Sequence, residues 1–400
     1  MDSAARSTAE ISRDELVERT RALIPMVRDD ADDAEKRRSI APETMAALRE
    51  TGIFRILQPE RFGGFEYDFG TVIRINSEIG RGCTSTAWVC GLGMTHQWIA
   101  AGFPLQAQED VWGDDPDAII FGSYGPVIEA KPVEGGWIIG GCWSFASGCD
   151  HGEWGLLGAR FPGAGPDGAP APGFMLVPKA DYTIKDDWFT NGLAATGSKS
   201  IVCEDVFVPT HRQLLFADVM SGNSPGYRAT KKPLYGIPMF AGIPVAISGP
   251  ALGALQGAID AFISITSVQK TRGMRAGSTV ADFAAVQSAV AEACAAVDAG
   301  RLMILRDLRE THEAADAGRE ITPEMRLRNR LTQAFILKLA VQAIDGLYSV
   351  TGVNGINLGN QVERAWRDIH AMSHHVTLNW DITSTMYGQH RLGLPPRGNY

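Results

Sequence analysis

The residues best suited to chemistry lie in three short stretches. The first is Gly140-Gly-Cys-Trp-Ser-Phe-Ala-Ser-Gly-Cys-Asp-His-Gly-Glu-Trp154. Ser147 offers a hydroxyl and an amide as hydrogen-bond partners. Gly148 lets a turn come close to a flat ligand, and Trp143, Phe145 and Trp154 can wall an apolar cavity. An ordinary strand–turn–strand with buried aromatics accounts for the same residues. The second stretch holds His96, in Gly93-Met-Thr-His-Gln-Trp98, and the third holds His375, beside His374. Imidazole titrates near neutrality, so either ring suits general base or hydrogen-bond donor work. His96 equally suits a core histidine on an apolar helix, among Leu92, Met94, Trp98 and Ile99. On a helix His374 and His375 differ by about 100°, so only one of them faces a given cleft. His370 and His151 read as structural. Ser144 lies in the same strand–turn as Ser147, but their side chains need not converge. Ser123 and Tyr124, in Phe121-Gly-Ser-Tyr-Gly125, line a cleft or simply end a strand.

A scaffold must bring these stretches together. Residues 12–113 read as helical. Ser12 before Asp14 and Glu15 is a helix start, and Pro25 predicts a kink. Ala41-Pro42-Glu43 opens a second helix that Gly52 ends, and helical segments follow over 68–80, 83–101 and 104–113. From 114 to about 215 the chain is strand-like, with short apolar runs at 118–121, 137–139, 155–158, 174–177 and 200–208 broken by Gly and Pro. Residues 163–173, rich in Gly, Ala and Pro, predict an exposed hairpin loop. A polar connection covers 215–234. Long helices are then expected over 243–266, 280–312 and 323–350, a turn at 351–355, and a last helix over 361–388. The fold class is therefore mainly α with an inserted β domain. The expected divisions are an N-terminal helical domain (1–116), a middle β domain (117–222) and a C-terminal helical bundle (223–400).

Four hundred residues exceed one ordinary core. The net charge of −9 argues against nucleic acid as a partner, and no basic cluster reverses that. No basic-then-apolar leader opens the chain, and no run of eighteen uninterrupted apolar residues predicts a membrane span. The six cysteines are scattered without a Cys-x-x-Cys pair, which disfavours a metal site and fits a reducing cytoplasm.

The α–β–α order and several motifs resemble the acyl-CoA dehydrogenase fold over nearly the whole chain. Leu57-Gln-Pro-Glu-Arg-Phe-Gly-Gly64 is similar to that family's apolar-Pro-x-x-Phe/Tyr-Gly-Gly segment. Ala195-Thr-Gly-Ser-Lys199 followed by Glu204-Asp-Val-Phe-Val-Pro209 is similar to its Gly-Thr-x-Ser and Val-x-Val-Pro strands. Thr351-Gly-Val-Asn-Gly355 and Arg364-Ala-Trp-Arg-Asp368 match its C-terminal pattern. The resemblance implies a flavin between the β domain and the C-terminal bundle, and a homotetramer. The dehydrogenases need a carboxylate to take the α-proton of a thioester. Neither 371–377 nor 239–244, where the family keeps that acid, contains one here.

With His96, His375 and the stretch around Ser147, the chain instead resembles the reduced-flavin-dependent aromatic monooxygenases of this fold, the oxygenase components of two-component phenol hydroxylases. By that resemblance, reduced FMN or FAD arrives from a separate NAD(P)H:flavin reductase, consistent with the lack of a Rossmann Gly-x-Gly-x-x-Gly opening a helix, since Gly163 to Gly168 falls in the Gly/Ala/Pro-rich loop. It forms a C4a-hydroperoxide with O₂ and hydroxylates a small aromatic molecule, water being excluded. Ser147 would bond near flavin N5, His96 would face the substrate as base, and His375 would face the bound oxygen. Trp143, Phe145, Gly148, Thr196 and Trp188-Phe189-Thr190 would line the flavin. Arg272, in Lys270-Thr-Arg272, would meet its phosphate; a solvated helix end is the alternative for that residue. An acyl-CoA dehydrogenase or oxidase, and a non-catalytic protein of the same fold, are the competing readings.

Overall fold

The computed structural model describes residues 11–125, 127–270 and 278–400. Six helices come first: α1 (Arg13–Ala22), α2 (Ile24–Arg37), α3 (Pro42–Glu50), α4 (Phe69–Gly82), α5 (Thr84–Ala101) and α6 (Leu105–Trp112). Ser12 caps α1 by accepting from the Glu15 amide. Pro25 starts α2 rather than bending a longer helix, at the position where its missing N–H costs nothing.

Eight strands follow: β1 (Ile120–Ser123), β2 (Lys131–Val133), β3 (Gly136–Ala146), β4 (Trp154–Phe161), β5 (Ala171–Pro178), β6 (Thr183–Lys185), β7 (Lys199–Pro209) and β8 (Gln213–Leu215). They form two sheets, ordered β1-β4-β5-β8 and β2-β3-β7-β6, antiparallel except where β1 runs parallel to β4. Leu157, Phe161, Met175 and Val177 of one sheet pack on Ile139, Trp143, Ile201 and Cys203 of the other. β2, β6 and β8 are absent from the sequence reading. Each is three residues long, too short to show an alternating pattern. β3 is longer than expected, because the 140–146 segment continues the strand through two irregularities, at 139–141 and 143–146.

Helices resume with α7 (Phe216–Met220) and α8 (Pro225–Thr230), inside what reads as a polar connection, and α9 (Met239–Gly242). Then come α10 (Val245–Thr266), α11 (Ala284–Asp316), α12 (Pro323–Ser349), α13 (Gln361–Ser373) and α14 (Trp380–Arg391). The expected single helix over 361–388 is a correction. It breaks at 374–379, where the backbone tightens into a 3₁₀ turn at Val376–Leu378 and side chains cap the segments on either side. His375 Nδ1 accepts from the Thr377 amide and Asn379 accepts from the Ile382 amide, so both act as caps. That break is what frees His375 from a helix.

The main core joins both helical parts. α5 packs on α4 and α10 so closely that a Cβ on Gly91 would sit 2.5 Å from the Ala246 carbonyl oxygen. The segment Met239–Thr266 has the length and composition of a membrane span, but 89% of its most apolar window is buried inside the fold.

Candidate active site

The site is organised along one face of α5. All of its 18 residues are buried except Leu92. Trp88, Leu92 and His96 are spaced i, i+4, i+8, so they fan over about 80° and span about 12 Å of helix axis. The half-exposed Leu92 marks where this sealed helix opens, with Trp88 at one end and His96 at the other.

At the far end, His96 is 1% exposed. Its Nδ1 lies 2.8 Å from the Ile120 carbonyl oxygen. A carbonyl only accepts, so Nδ1 carries the proton and Nε2 is a bare acceptor. Nε2 has no partner, and neither has the buried hydroxyl of Tyr124. The Tyr124 ring sits 5.4 Å from the imidazole and edge-on to Phe174 at 5.1 Å. Burial pushes the His96 pKa down to about 4 and the Tyr124 phenol upward, so both are neutral near pH 7. Ser123 ends β1 beside them, half-buried.

At the near end, Trp88 donates its indole N–H to Ser147 Oγ at 3.1 Å. Ser147 Oγ is 2.6 Å from Ser198 Oγ, which is 2.6 Å from Thr196 Oγ1, which donates to the Leu193 carbonyl at 2.8 Å. The last bond fixes the direction of the others. Thr196 spends its proton on Leu193, so Ser198 must donate to Thr196 and Ser147 to Ser198. Ser147 therefore has no proton left and one lone pair free. The relay is sealed: Trp88, Ser147, Thr196 and Ser198 are all at most 6% exposed. Its terminal residue is tied to the helical bundle, because buried Asp368 of α13 accepts from the Leu193 amide at 2.7 Å. Burial pushes the Asp368 pKa up to about 6 despite that bond.

His375 stands edge-on to Trp88, 5.5 Å between centroids. Its Nδ1 accepts from the Thr377 amide at 3.2 Å, so its proton is on Nε2. Burial, then the charge of Arg330, lowers its pKa to about 4. The two histidines are thus both neutral and oppositely polarised: His96 offers a lone pair, His375 a donor. His374 is exposed and His370 is paired with Asp345 at 2.9 Å.

Several expectations need correction. Trp143 does not wall a cleft; it is fully buried between the sheets, its indole bonded to the Gly158 carbonyl at 2.7 Å. Trp154 is nearly buried under Arg212. Gly148 is not a point of ligand approach. With φ +76°, an added Cβ would meet Phe121 and Val89 at 2.7–2.8 Å, and its amide bonds the Thr196 carbonyl. The glycine is there to join the serine turn to the relay. Phe145 is 71% exposed at φ +65°, in the irregular end of β3, with Trp188 edge-on at 6.0 Å. That irregularity turns the strand end so that Ser147 points toward α5. Ser144 bonds Ser200, away from Ser147. His151 packs outside, near Ser39. Arg272 lies outside the described residues. Sequence reasoning missed Trp88 and Ser198. The i, i+8 spacing back from His96 marks Trp88, and Ser198 lies within a motif quoted only as a fold signature.

The acceptor left on Ser147 fits the N–H that a reduced flavin carries at N5, and the exposed Phe145 beside Trp188 gives a flat ring an aromatic edge. No carboxylate stands at the His375 position, and the buried acid nearest in sequence, Asp368, is committed to Leu193.

The family models for the acyl-CoA dehydrogenase N-terminal and C-terminal domains match residues 12–109 and 245–380. The FADH(2)-dependent resorcinol hydroxylase oxygenase component of Rhizobium sp. (strain MTP-10005) is 41% identical, over 96% of each chain. The flavin-dependent monooxygenase oxygenase subunit HsaA of Rhodococcus jostii (strain RHA1) is 37% identical, over 95% of this chain and 98% of its own. Among solved structures, 3-HSA hydroxylase from Rhodococcus sp. RHA1 superposes with a TM-score of 0.89 at 36% identity, covering 96% of this chain and 98% of that one. XiaF from Streptomyces sp., in complex with FADH2 and glycerol, gives 0.87 at 26%, covering 96% and 97%. The chain belongs to the acyl-CoA dehydrogenase family, in its branch of flavin-dependent oxygenase components.

Proposed function

We propose that His96 takes the proton of a phenolic substrate, that Ser147 holds reduced flavin at N5, and that His375 donates to the reacting oxygen. The protein is the oxygenase component of a two-component flavin-dependent monooxygenase that hydroxylates an aromatic small molecule. When bound, reduced flavin supplies the electrons that activate O₂, one atom of which enters the ring. The chain's own residues do the rest. His96 Nε2, unpartnered and unable to donate, accepts the phenol proton and raises electron density on the ring. Its low proton affinity makes it a weak base, so it works by sharing the proton as oxygen is delivered. His375 Nε2–H, at the Trp88 end of the α5 face, donates. Leu92 and the Tyr124–Phe174 pair keep the space apolar and dry.

The observation that carries this reading is the opposite tautomers of two neutral histidines at the two ends of one helix face. The test is turnover with NADH, a separate flavin reductase, FAD or FMN, resorcinol and ¹⁸O₂. One labelled oxygen in the product is expected; flavin oxidation with no labelled product from any phenol would overturn the reading.

The domain divisions 1–116, 117–222 and 223–400 belong to the same reading, as does a homotetramer. The tetramer is supported by apolar side chains left exposed on the C-terminal part: Leu302, Val353, Ile356, Leu358 and Leu392 are each 66–85% exposed. Light scattering that gives a monomer at micromolar concentration would count against it. Six cysteines with free thiols support a reducing, cytoplasmic setting.

A further inference from the structure

α12 carries polar groups that the fold leaves without partners. Arg330 is 4% exposed, and neither Nε nor Nη1 has a hydrogen-bond partner. No carboxylate pairs with it among the described residues; its guanidinium lies over the Phe240 ring, 4.8 Å from the centroid. One turn on, Gln333 is 0% exposed, and both atoms of its amide are unpartnered. Burial lowers the Arg330 pKa to about 10, which leaves it charged near neutrality. A buried cation is costly unless an anion faces it.

α12 packs against the Val376–Leu378 turn that follows His375. The charge of Arg330 bears on His375. Phe240, beneath the guanidinium, lies on α9, and the chain on both sides of α9 is fixed to α5. The Trp98 indole donates to the Leu234 carbonyl before it, and Gly91 packs on Ala246 after it. Phe240 and Arg330 therefore lie on the side of the site that His375 occupies.

We propose that Arg330 and Gln333 form an anion-recognising subsite of the substrate cavity, and that the substrate class is a phenol bearing a carboxylate. The hydroxyl goes to His96 and the carboxylate to α12. This rests on reading the α5 cleft as the substrate's. A guanidinium presents its donors in a planar fork that matches a carboxylate, and the Gln333 amide adds another donor. A carboxylate there also removes the uncompensated charge, so binding the acid relieves a cost that a neutral phenol leaves in place.

The test is calorimetric binding to the purified, flavin-free full chain of 3-hydroxybenzoate, 3-hydroxyphenylacetate and the amide of each. In the wild type at least one acid should bind tenfold or more tighter than its amide. Arg330→Met should erase that ratio and leave amide binding within about threefold. Arg330→Lys should keep part of it, since the charge remains and the fork is lost; Gln333→Leu should reduce it several-fold. The preferred acid should raise the melting temperature of the wild type and not that of Arg330→Met. Arg330→Met by itself should melt no lower than the wild type, because it removes an unpaired buried charge. Equal affinity for acids and amides in the wild type would overturn the subsite. So would an Arg330→Met variant that melts lower or dissociates, which would mean a carboxylate of another subunit pairs with the arginine. None of these readouts needs flavin or oxygen. A clear acid preference with no hydroxylation of the same acids in the complete system would overturn the functional reading and leave the subsite standing.

Discussion

His96 and His375 sit at opposite ends of one face of α5 and are held by opposite means. His96 grows from the middle of a helix buried on nearly every side, and its proton is pinned by a short bond to the Ile120 carbonyl. His375 stands in a six-residue break between α13 and α14, and is held by a longer bond from the Thr377 amide. Burial keeps both rings neutral, yet the backbone group each one meets decides which nitrogen carries the proton. A carbonyl makes one ring an acceptor; an amide makes the other a donor. Local backbone direction, more than proton affinity, separates the accepting ring from the donating one.

The largest effect should come from breaking the acceptor end. His96→Ala should slow hydroxylation by about 10²–10⁴-fold. The defect should ease as pH rises toward the phenol's own pKa, near about 10, with no rise in hydrogen peroxide before substrate is added. Turnover measured against pH decides this: a deficit that ignores pH would make His96 a packing residue.

The same ring should show itself in acid. Unfolded, His96 takes up a proton near 6.5; folded, it resists until about 4. Between those values the unfolded chain binds more protons, so stability falls as pH drops from about 6.5 to about 4, by about 3 kcal/mol in all. His96→Asn, which keeps an amide donor for the Ile120 carbonyl, should lack that component. Urea melts of variant and wild type should diverge in its favour over this window; a constant difference would show that the ring protonates freely.

Breaking the other end should cost coupling instead. Ser147→Ala removes the acceptor for flavin N5–H, and losing one such bond in a dry site is worth about 1–3 kcal/mol, or up to about a hundredfold in hydrogen peroxide release without substrate. His375→Ala should leak in the same assay. Equal leakage from His96→Ala would collapse the distinction between the two ends.

The smallest change expected is from Ser198→Ala. It leaves Ser147 in place but frees its proton, so leakage should rise less than in Ser147→Ala. Leakage as high as in Ser147→Ala, or none at all, would mean that the relay does not set the direction of that hydroxyl.

Many helix starts and most strands are legible in the sequence, because capping residues such as Ser12, Pro42 at a first turn, and apolar periodicity act locally. His96, Ser147 and His375 are legible only through resemblance, since each also suits a bland local role. Trp143 and Gly148 mislead for one reason: a sequence shows that an aromatic or a glycine is present, not which side of a strand it takes. Trp143 points between the sheets, and Gly148 answers to Phe121 and Val89 rather than to a ligand. Trp88, Ser198 and Arg330 depend on contacts made across distant segments, which no local pattern reports.

A row of hydroxyls that runs one way would also read the oxidation state of a flavin placed as proposed. From Trp88 to Leu193 every proton is assigned, so Ser147 shows a lone pair and nothing else. Oxidised flavin has a lone pair at N5, and the two would face each other across a dry gap. The reduced ring would present hydrogen, and a bond would form. A made contact against an unmade one is worth about 1–3 kcal/mol, roughly ten- to a hundredfold in affinity. With the flavin placed as proposed, Ser147 would hold the reduced form more tightly than the oxidised one, so the chain would load from a pool of free reduced flavin and release what it has used.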